Sequence, residues 1–257
     1  MKIAVVTGGA GDIGRAIGLQ LAKDGYTIAV ADLRQDKSDA VVRELTDAGY
    51  SAFSAVVDIT KLDTVERMAK DVLARGPVEL VVNNAGVASA PTFETSSVED
   101  WQAGLDINLN GAFYVTRQFL PVMCAARRGV VINISSGNGL VYAGAPAYSV
   151  AKAGLIHYTR MLAVEYGKFG IRALTVVPGS VRTQAWAHRL DLNPKLFDEL
   201  KQWYPLGRVV EPVEVANVVA FAASDKASAM TGSCLTVDCG IMSGNTVLAD
   251  LITAGDT

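Results

Sequence analysis

The stretch Ile3-Ala4-Val5-Val6-Thr7-Gly8-Gly9-Ala10-Gly11-Asp12-Ile13-Gly14 decides the fold. Its apolar start reads as a strand covered on both faces. The strand runs into a glycine-rich turn, and a helical pattern opens at Ile13. Gly9, Gly11 and Gly14 fit a GxGxxG spacing. Gly8 and Gly14 also fit a TGxxxGxG form in which Asp12 replaces the middle glycine. In either register, residues without Cβ let the backbone turn sharply and approach a pyrophosphate, whose charge a helix N-terminus favours.

Outward from this turn, short β-rich runs alternate with longer segments of helical period. Strands are predicted at Ile3–Thr7, Thr27–Asp32, Ala52–Val57, Glu79–Asn83, Val130–Ile134, Arg172–Val177 and Cys234–Val237. Helices are predicted near Ile13–Lys23, Lys37–Ala48, Leu62–Ala74, Val98–Ala126, Tyr148–Phe169 and Val213–Ser224. In the second helix, Ala40, Val41, Glu44, Leu45 and Ala48 give an apolar stripe; in the third, Val65, Met68, Ala69 and Val72 do so. The strict succession predicts an α/β fold, a Rossmann-type doubly wound parallel sheet of about seven strands with helices on both faces. A single domain over residues 1–257 is expected. Only Gln184–Pro205 breaks the rhythm, and it is read as a substrate loop.

Half of the 257 residues are apolar and 19% are charged, which excludes a disordered chain. The net charge of −3 gives no electrostatic argument for nucleic acid or an anionic membrane. The initial apolar run meets the turn without a cleavage region, so a secretory signal is not indicated. Cys124, Cys234 and Cys239 are odd in number and lack zinc-ligand spacing. They are expected as buried free thiols in a reducing cytoplasm, with no metal site.

The second strand ends at Asp32, whose carboxylate can accept hydrogen bonds from ribose hydroxyls and would repel a 2′-phosphate. NAD is therefore expected over NADP, with Arg34 the one nearby cation that could offset the repulsion. Asp58 closes the third strand in the same way, as a residue facing adenine or as a plain turn residue. Tyr148-Ser149-Val150-Ala151-Lys152 places a phenol and an ammonium one helical turn apart. A free phenol, with a pKa of about 10, is a poor base at neutral pH. A cation beside it is expected to lower that value. Ser135-Ser136 ends the fifth strand and Asn83-Asn84-Ala85-Gly86 the fourth, on the side where parallel sheets bind ligands. Asn108, polar in a largely apolar helix, reads in isolation as a local backbone bond or a kink.

Together these pieces resemble the short-chain dehydrogenase/reductase family over essentially the whole chain. The motifs are the turn at Thr7–Gly14, Asp58, the NNAG at Asn83–Gly86, Asn108, Ser136, Tyr148-x-x-x-Lys152 and Pro178-Gly179-Ser180-Val181-Arg182-Thr183. The resemblance implies Tyr148 as general acid/base and Ser136 as the group that positions the substrate oxygen. It implies Lys152 on the nicotinamide ribose and Asn108 holding a water in a proton relay. The nucleotide would meet Gly8, Gly11, Asp12, Ile13, Gly14, Asp32, Asp58, Ile59, Asn84, Ala85, Gly86, Pro178 and Gly179. Val181 and Thr183 would grip its carboxamide and diphosphate.

By the same analogy Asn138, Tyr142, Trp186 and His188 would line the substrate pocket, a mixture suited to a sugar, polyol or other small hydroxylated compound. His157 is expected as a packed or surface residue. The expected reaction is reversible hydride transfer between NAD and a secondary alcohol or its ketone. The alternatives are an NADPH-dependent ketoacyl or other carbonyl reductase, and a non-catalytic NAD-binding sensor or scaffold. A homotetramer is implied, packed through the helices at Val98–Ala126 and Tyr148–Phe169. The tail Ser243–Thr257 either reaches a neighbouring subunit or frays.

Three departures stand out. Asp12 adds a carboxylate at the turn, harmless if it caps the first helix and adverse if it points inward. A short loop before Tyr148 makes Ser135 a fallback for Ser136. Cys239 stands where the family usually has glycine.

Overall fold

The computed structural model of the chain describes residues 2–88 and 90–254. Seven strands form one parallel sheet: β1 (Lys2–Thr7), β2 (Tyr26–Asp32), β3 (Ala52–Val56), β4 (Val78–Asn83), β5 (Gly129–Ile134), β6 (Ile171–Pro178) and β7 (Cys234–Val237). Their order, β3-β2-β1-β4-β5-β6-β7, reverses direction between β1 and β4. That switch point is where an open parallel sheet leaves a crevice at its carboxyl edge.

The helices are α1 (Asp12–Lys23), α2 (Gln35–Asp47), α3 (Leu62–Leu73), α4 (Val98–Leu105), α5 (Gly111–Ala126), α6 (Pro146–Tyr166), α7 (Ala187–Leu192), α8 (Leu196–Leu200), α9 (Pro212–Ala223) and α10 (Thr246–Thr253). Side chains alternate across each strand, so β1 feeds both layers. Ala4 and Val6 pack with Ile17 and Leu21 of α1, Leu45 of α2 and Val219 of α9. Ile3 and Val5 pack with Val65 and Met68 of α3, Phe119 of α5 and Leu162 of α6. Full burial of an aliphatic or aromatic side chain such as Leu21 or Phe119 contributes about 1.5–3 kcal/mol.

Several expectations shift by a residue or a turn. In α2 the buried positions are Ser38, Val41 and Leu45, whereas Ala40 and Ala48 are exposed. Ser38 enters the stripe because its hydroxyl donates to the Val30 carbonyl at 2.7 Å, satisfying a polar group that burial would otherwise penalise. The helix expected over Val98–Ala126 is two helices joined by a π turn, Asp106–Asn110. Gln184–Pro205 is not a bare loop. It holds α7 and α8 between 3₁₀ turns, with Trp186 and Phe197 ring centroids 5.6 Å apart.

The tail forms α10, whose cap residue Asn245 accepts from Leu248 N at 3.0 Å; residues 255–257 lie outside the described residues. The three cysteines are half-buried rather than buried: Cys124 and Cys239 pack at the margins of the two cores, and Cys234 opens the edge strand β7. No helix among the described residues is long and apolar enough to cross a membrane.

Candidate active site

The glycine turn is held by steric need and by hydrogen bonds from β4. Gly8 has φ +60°, a conformation that favours glycine. A Cβ on Gly14 would lie 2.2 Å from Gly8 O, so the helix could not start so close to the turn with any other residue. Asn84 Nδ2 donates to Thr7 O at 3.0 Å and to Gly8 O at 3.1 Å. The backbone N–H groups of Asn84 and Ala85 both donate to Thr7 Oγ1. Thr7 is thus the post to which the end of β4 is tied. Its neighbour Asp32 accepts from Ala10 N through Oδ2 and from Arg34 N through Oδ1, both at 3.1 Å.

The first turn of α1 follows Gly11 with no side-chain cap, so its N–H groups are left for an anion. Asp12 takes neither orientation foreseen for it. Its carboxylate accepts from Gln184 N at 2.6 Å, tying the turn to the chain after β6. Asp58 serves its own turn, accepting from Thr60 N and Oγ1 and pairing with Lys61 Nζ at 3.3 Å. Those contacts hold its carboxyl below the usual range, the Thr60 hydroxyl foremost. Ile59 packs against Gly111 at the start of α5.

The chemical end is built on α6. Pro146 opens that helix after Gly144 and Ala145, both at positive φ. Tyr148, half-buried, and Lys152, buried, then fall one turn apart on the same helix face. Ser136, at the end of β5, caps a 3₁₀ turn by accepting from Asn138 N at 3.2 Å, and its side chain lies beside the Tyr148 hydroxyl. Ser135 is excluded as its substitute: its hydroxyl is buried and donates to Lys152 O at 2.8 Å.

The expected depression of the phenol is not found. Burial pushes the Tyr148 hydroxyl above its ordinary value, and the neighbouring Ser136 hydroxyl only partly opposes it. Lys152 does not reverse this, because its ammonium donates to Ile134 O at 2.8 Å and lies 5.4 Å from the phenol ring centroid. Burial lowers Lys152 itself to about 8.

Asn108 sits in the π turn and bonds reciprocally with Val87, accepting from its N–H at 3.1 Å and donating to its carbonyl at 2.9 Å. Its second amide proton goes to Gly104 O. The side chain is therefore a clamp between helix and loop, and the local backbone bond and the kink both occur. Gly86 lies between this clamp and the lysine: a Cβ there would stand 2.7 Å from Asn108 Oδ1 and 3.0 Å from Lys152 Nζ.

A family model described as "Enoyl-(Acyl carrier protein) reductase" matches residues 8–242. A crystal structure of an oxidoreductase of the short chain dehydrogenase/reductase family from Burkholderia thailandensis superposes with a TM-score of 0.93 and 39% identity. It covers 98% of this chain and 97% of its own. The chain belongs to the short-chain dehydrogenase/reductase family. It is 36% identical to a 3-oxoacyl-[acyl-carrier-protein] reductase FabG of Staphylococcus epidermidis, over 93% of this chain and 98% of that protein. It also resembles a gluconate 5-dehydrogenase from Burkholderia cenocepacia solved with NADP and tartrate, at 27% identity and a TM-score of 0.89, covering 95% of this chain and 96% of that one.

The short-chain dehydrogenase/reductase family binds a nicotinamide dinucleotide, and this chain has the features to hold one: an uncapped helix N-terminus beside a turn closed to any Cβ at Gly14. Gly179 closes against Asp238, where a Cβ would lie 3.1 Å from its Cα, and its N–H donates to Val237 O. Pro178 ends β6 just before it. Val181 is buried in a parallel bridge with Val210, and Thr183 starts the 3₁₀ turn that Gln184 opens.

The substrate expectations fare less evenly. Asn138 donates its amide to Gly144 O at 3.0 Å, shaping the loop before α6. Tyr142 is 64% exposed, and His188 is exposed, as is His157. Trp186 spends one face on Phe197.

Sequence reading gave no role to Asp238, Met242 and Tyr204. Asp238 accepts from Gly240 N and Met242 N, which sets Met242 against Gly137 beside Ser136. The buried Tyr204 accepts Ser180 N on its hydroxyl at 3.1 Å, anchoring the far end of the 184–205 segment. The Val-Asp pair closing β7 was the available signal for the first two. Nothing in the sequence marks Tyr204.

Proposed function

We propose that the protein catalyses reversible hydride transfer between NAD(H) and a secondary alcohol or its ketone. The observation that carries the reading is the Tyr148 hydroxyl beside Ser136, with the buried Lys152 one turn away on the same helix. When bound, the nicotinamide supplies the two-electron chemistry, accepting hydride from the carbinol carbon or returning it to the carbonyl carbon. The protein manages position and one proton.

In oxidation the Tyr148 oxygen takes the hydroxyl proton as hydride leaves carbon; in reduction it returns that proton to the carbonyl oxygen. Ser136 holds the same oxygen. Lys152 holds the nicotinamide ribose, and Asn108 fixes the Val87 loop that borders them, with the relay water expected beside it. The glycine turn, Asn84–Gly86, Pro178, Gly179, Val181 and Thr183 form the nucleotide cradle. Asp32 at the end of β2 supports NAD over NADP, because a 2′-phosphate would face its carboxylate.

A small hydroxylated substrate, such as a sugar or polyol, is the class we favour, supported by the gluconate 5-dehydrogenase neighbour. A second reading, reduction of a ketoacyl group with NADPH, is favoured by the FabG relatives. The complete set of proton-handling residues weighs against a sensor without turnover. The reading includes a cytoplasmic homotetramer assembled through α5 and α6, supported by exposed Phe113 and Val122 on one and by Met161 and the 83% exposed Val164 on the other.

The test is a spectrophotometric screen of secondary alcohols and ketones with each nucleotide, using wild type and Tyr148→Phe. Turnover with NAD that the variant lacks is expected. Flat traces throughout, or a variant as fast as wild type, would overturn the reading.

A further inference from the structure

Residues 184–203 stand apart from the rest of the molecule in how they are held. Their hydrogen bonds close within the segment or on its flanks: Trp186 N to Thr183 O, Asn193 N to Arg189 O, Leu196 N to Asn193 O, and Tyr204 N to Lys201 O. Side-chain bonds stay inside as well, Asn193 to Glu199 and Lys201 to Asp198 among them. Among the described residues, one hydrogen bond leaves this lobe for the body of the protein. It is Gln184 N to the Asp12 carboxylate, 2.6 Å long and bridging 172 positions of sequence.

Arg15 and Arg182, which line the same cavity as Asp12 and Gln184, are already engaged, by Glu44 and Glu211 respectively. The bond borders a cavity of about 710 Å³ outside α1, lined by Leu19, Thr183, Ala187 and Val213 among others. A charge-assisted bond of this length is about twice as strong as a neutral one.

We propose that Asp12 is a positioning residue, a latch that holds the substrate lobe against the nucleotide turn so that substrate wall and nucleotide cradle keep one register. The latch rests on the hydride-transfer reading for its functional consequence but not for its existence. Asp12 sits between Gly11 and Ile13 of the turn, and Gln184 follows Thr183, so a single bond ties the two segments that flank the crevice. Substrate binding draws on this order. A lobe freed from the turn must be ordered by the substrate itself, which raises KM more than it lowers kcat.

Two substitutions cut the bond from opposite ends. Asp12→Ala removes the acceptor. Gln184→Pro removes the donor with little disturbance, because Gln184 opens a 3₁₀ turn and proline suits the first helical position. Thr183, at φ −137° and ψ 164°, already has the extended backbone that precedes proline.

Hydrogen exchange of unliganded wild type and both variants reads the latch without any turnover. Amides of residues 186–203 are expected to exchange about ten-fold faster in each variant, the scale of one charge-assisted bond. Sheet amides are expected to keep their protection, and the double variant to exchange no faster than either single. Asp12→Asn, which retains an acceptor oxygen, should restore most of the protection. In turnover assays KM should rise about ten-fold in both single variants. Unchanged lobe exchange, or effects that multiply in the double variant, would overturn the latch; so would faster exchange with an unchanged KM. If wild type itself turns over no alcohol or ketone, the hydride-transfer reading fails while the exchange result still decides whether the latch exists.

Discussion

The Lys152 ammonium donates to the carbonyl oxygen of Ile134 across 2.8 Å, anchoring α6 to the carboxyl end of β5. Burial lowers this lysine to about 8. In the unfolded chain a lysine titrates at about 10.4. Between those values the unfolded state binds a proton that the folded state has released, so stability rises with pH across this window. Below it both states are charged and the burial penalty is felt in full. Relative to Lys152→Met, wild type should gain on the order of 1–3 kcal/mol between about pH 8 and 10, measured by urea unfolding. A difference that stays level would contradict this.

Ser135 and Ser136 are neighbours with separable roles. Ser135→Ala removes a buried bond to Lys152 O and should cost about 1–3 kcal/mol of stability while leaving turnover near wild type. Ser136→Ala should do the reverse, lowering kcat by about 10²-fold or more with little change in melting temperature. Thermal melts and steady-state kinetics on both variants check the pair.

Tyr148 predicts a pH profile. Since burial holds the phenol above its ordinary range, the phenolate is scarce at neutral pH. Alcohol oxidation should therefore climb about ten-fold per pH unit through the neutral and mildly alkaline range, whereas ketone reduction, which needs the protonated phenol, should be flat there. A flat oxidation profile would mean that another group takes the proton.

Asp32→Ala removes the carboxylate that would oppose a 2′-phosphate, along with the acceptor for Ala10 N and Arg34 N. The ratio of kcat/KM for NADP over NAD should rise by about ten-fold or more, the equivalent of a single charge-assisted contact. An unchanged ratio would place nucleotide choice elsewhere.

Cys239 holds φ +51°, a left-handed backbone that costs about 1–2 kcal/mol outside glycine. Glycine there relieves the strain but adds freedom to the unfolded chain. Cys239→Gly should thus be more stable by about 0.5–1 kcal/mol in denaturant unfolding, with catalysis unaffected.

The strands were legible because a strand covered on both faces has nowhere to put a polar residue, and Ile3–Val6 or Val130–Ile134 read accordingly. The order of motifs likewise located Ser136, Tyr148, Lys152 and the glycine turn. What stayed hidden depends on contacts distant in sequence. Asp12 looked like a cap or an intruder because its partner, Gln184, lies far along the chain. Lys152 was expected to sharpen the phenol, but sequence spacing carries no information on desolvation, which dominates both groups. Tyr142 and His188 have suitable chemistry, yet the backbone leaves them facing solvent.

The π turn at Asp106–Asn110 has a wider consequence. An α-helix advances about 100° per residue, so one residue more or fewer reorients every side chain downstream by that amount. Deleting a single position there would rotate Val115 and Phe119 out of the sheet layer while leaving α4 untouched. The bulge thus acts as a phase adjuster between two halves of a helical rod, α4 packed on α6 and α5 on the sheet. A change of length inside that rod would therefore turn one half out of register with the layer it packs on.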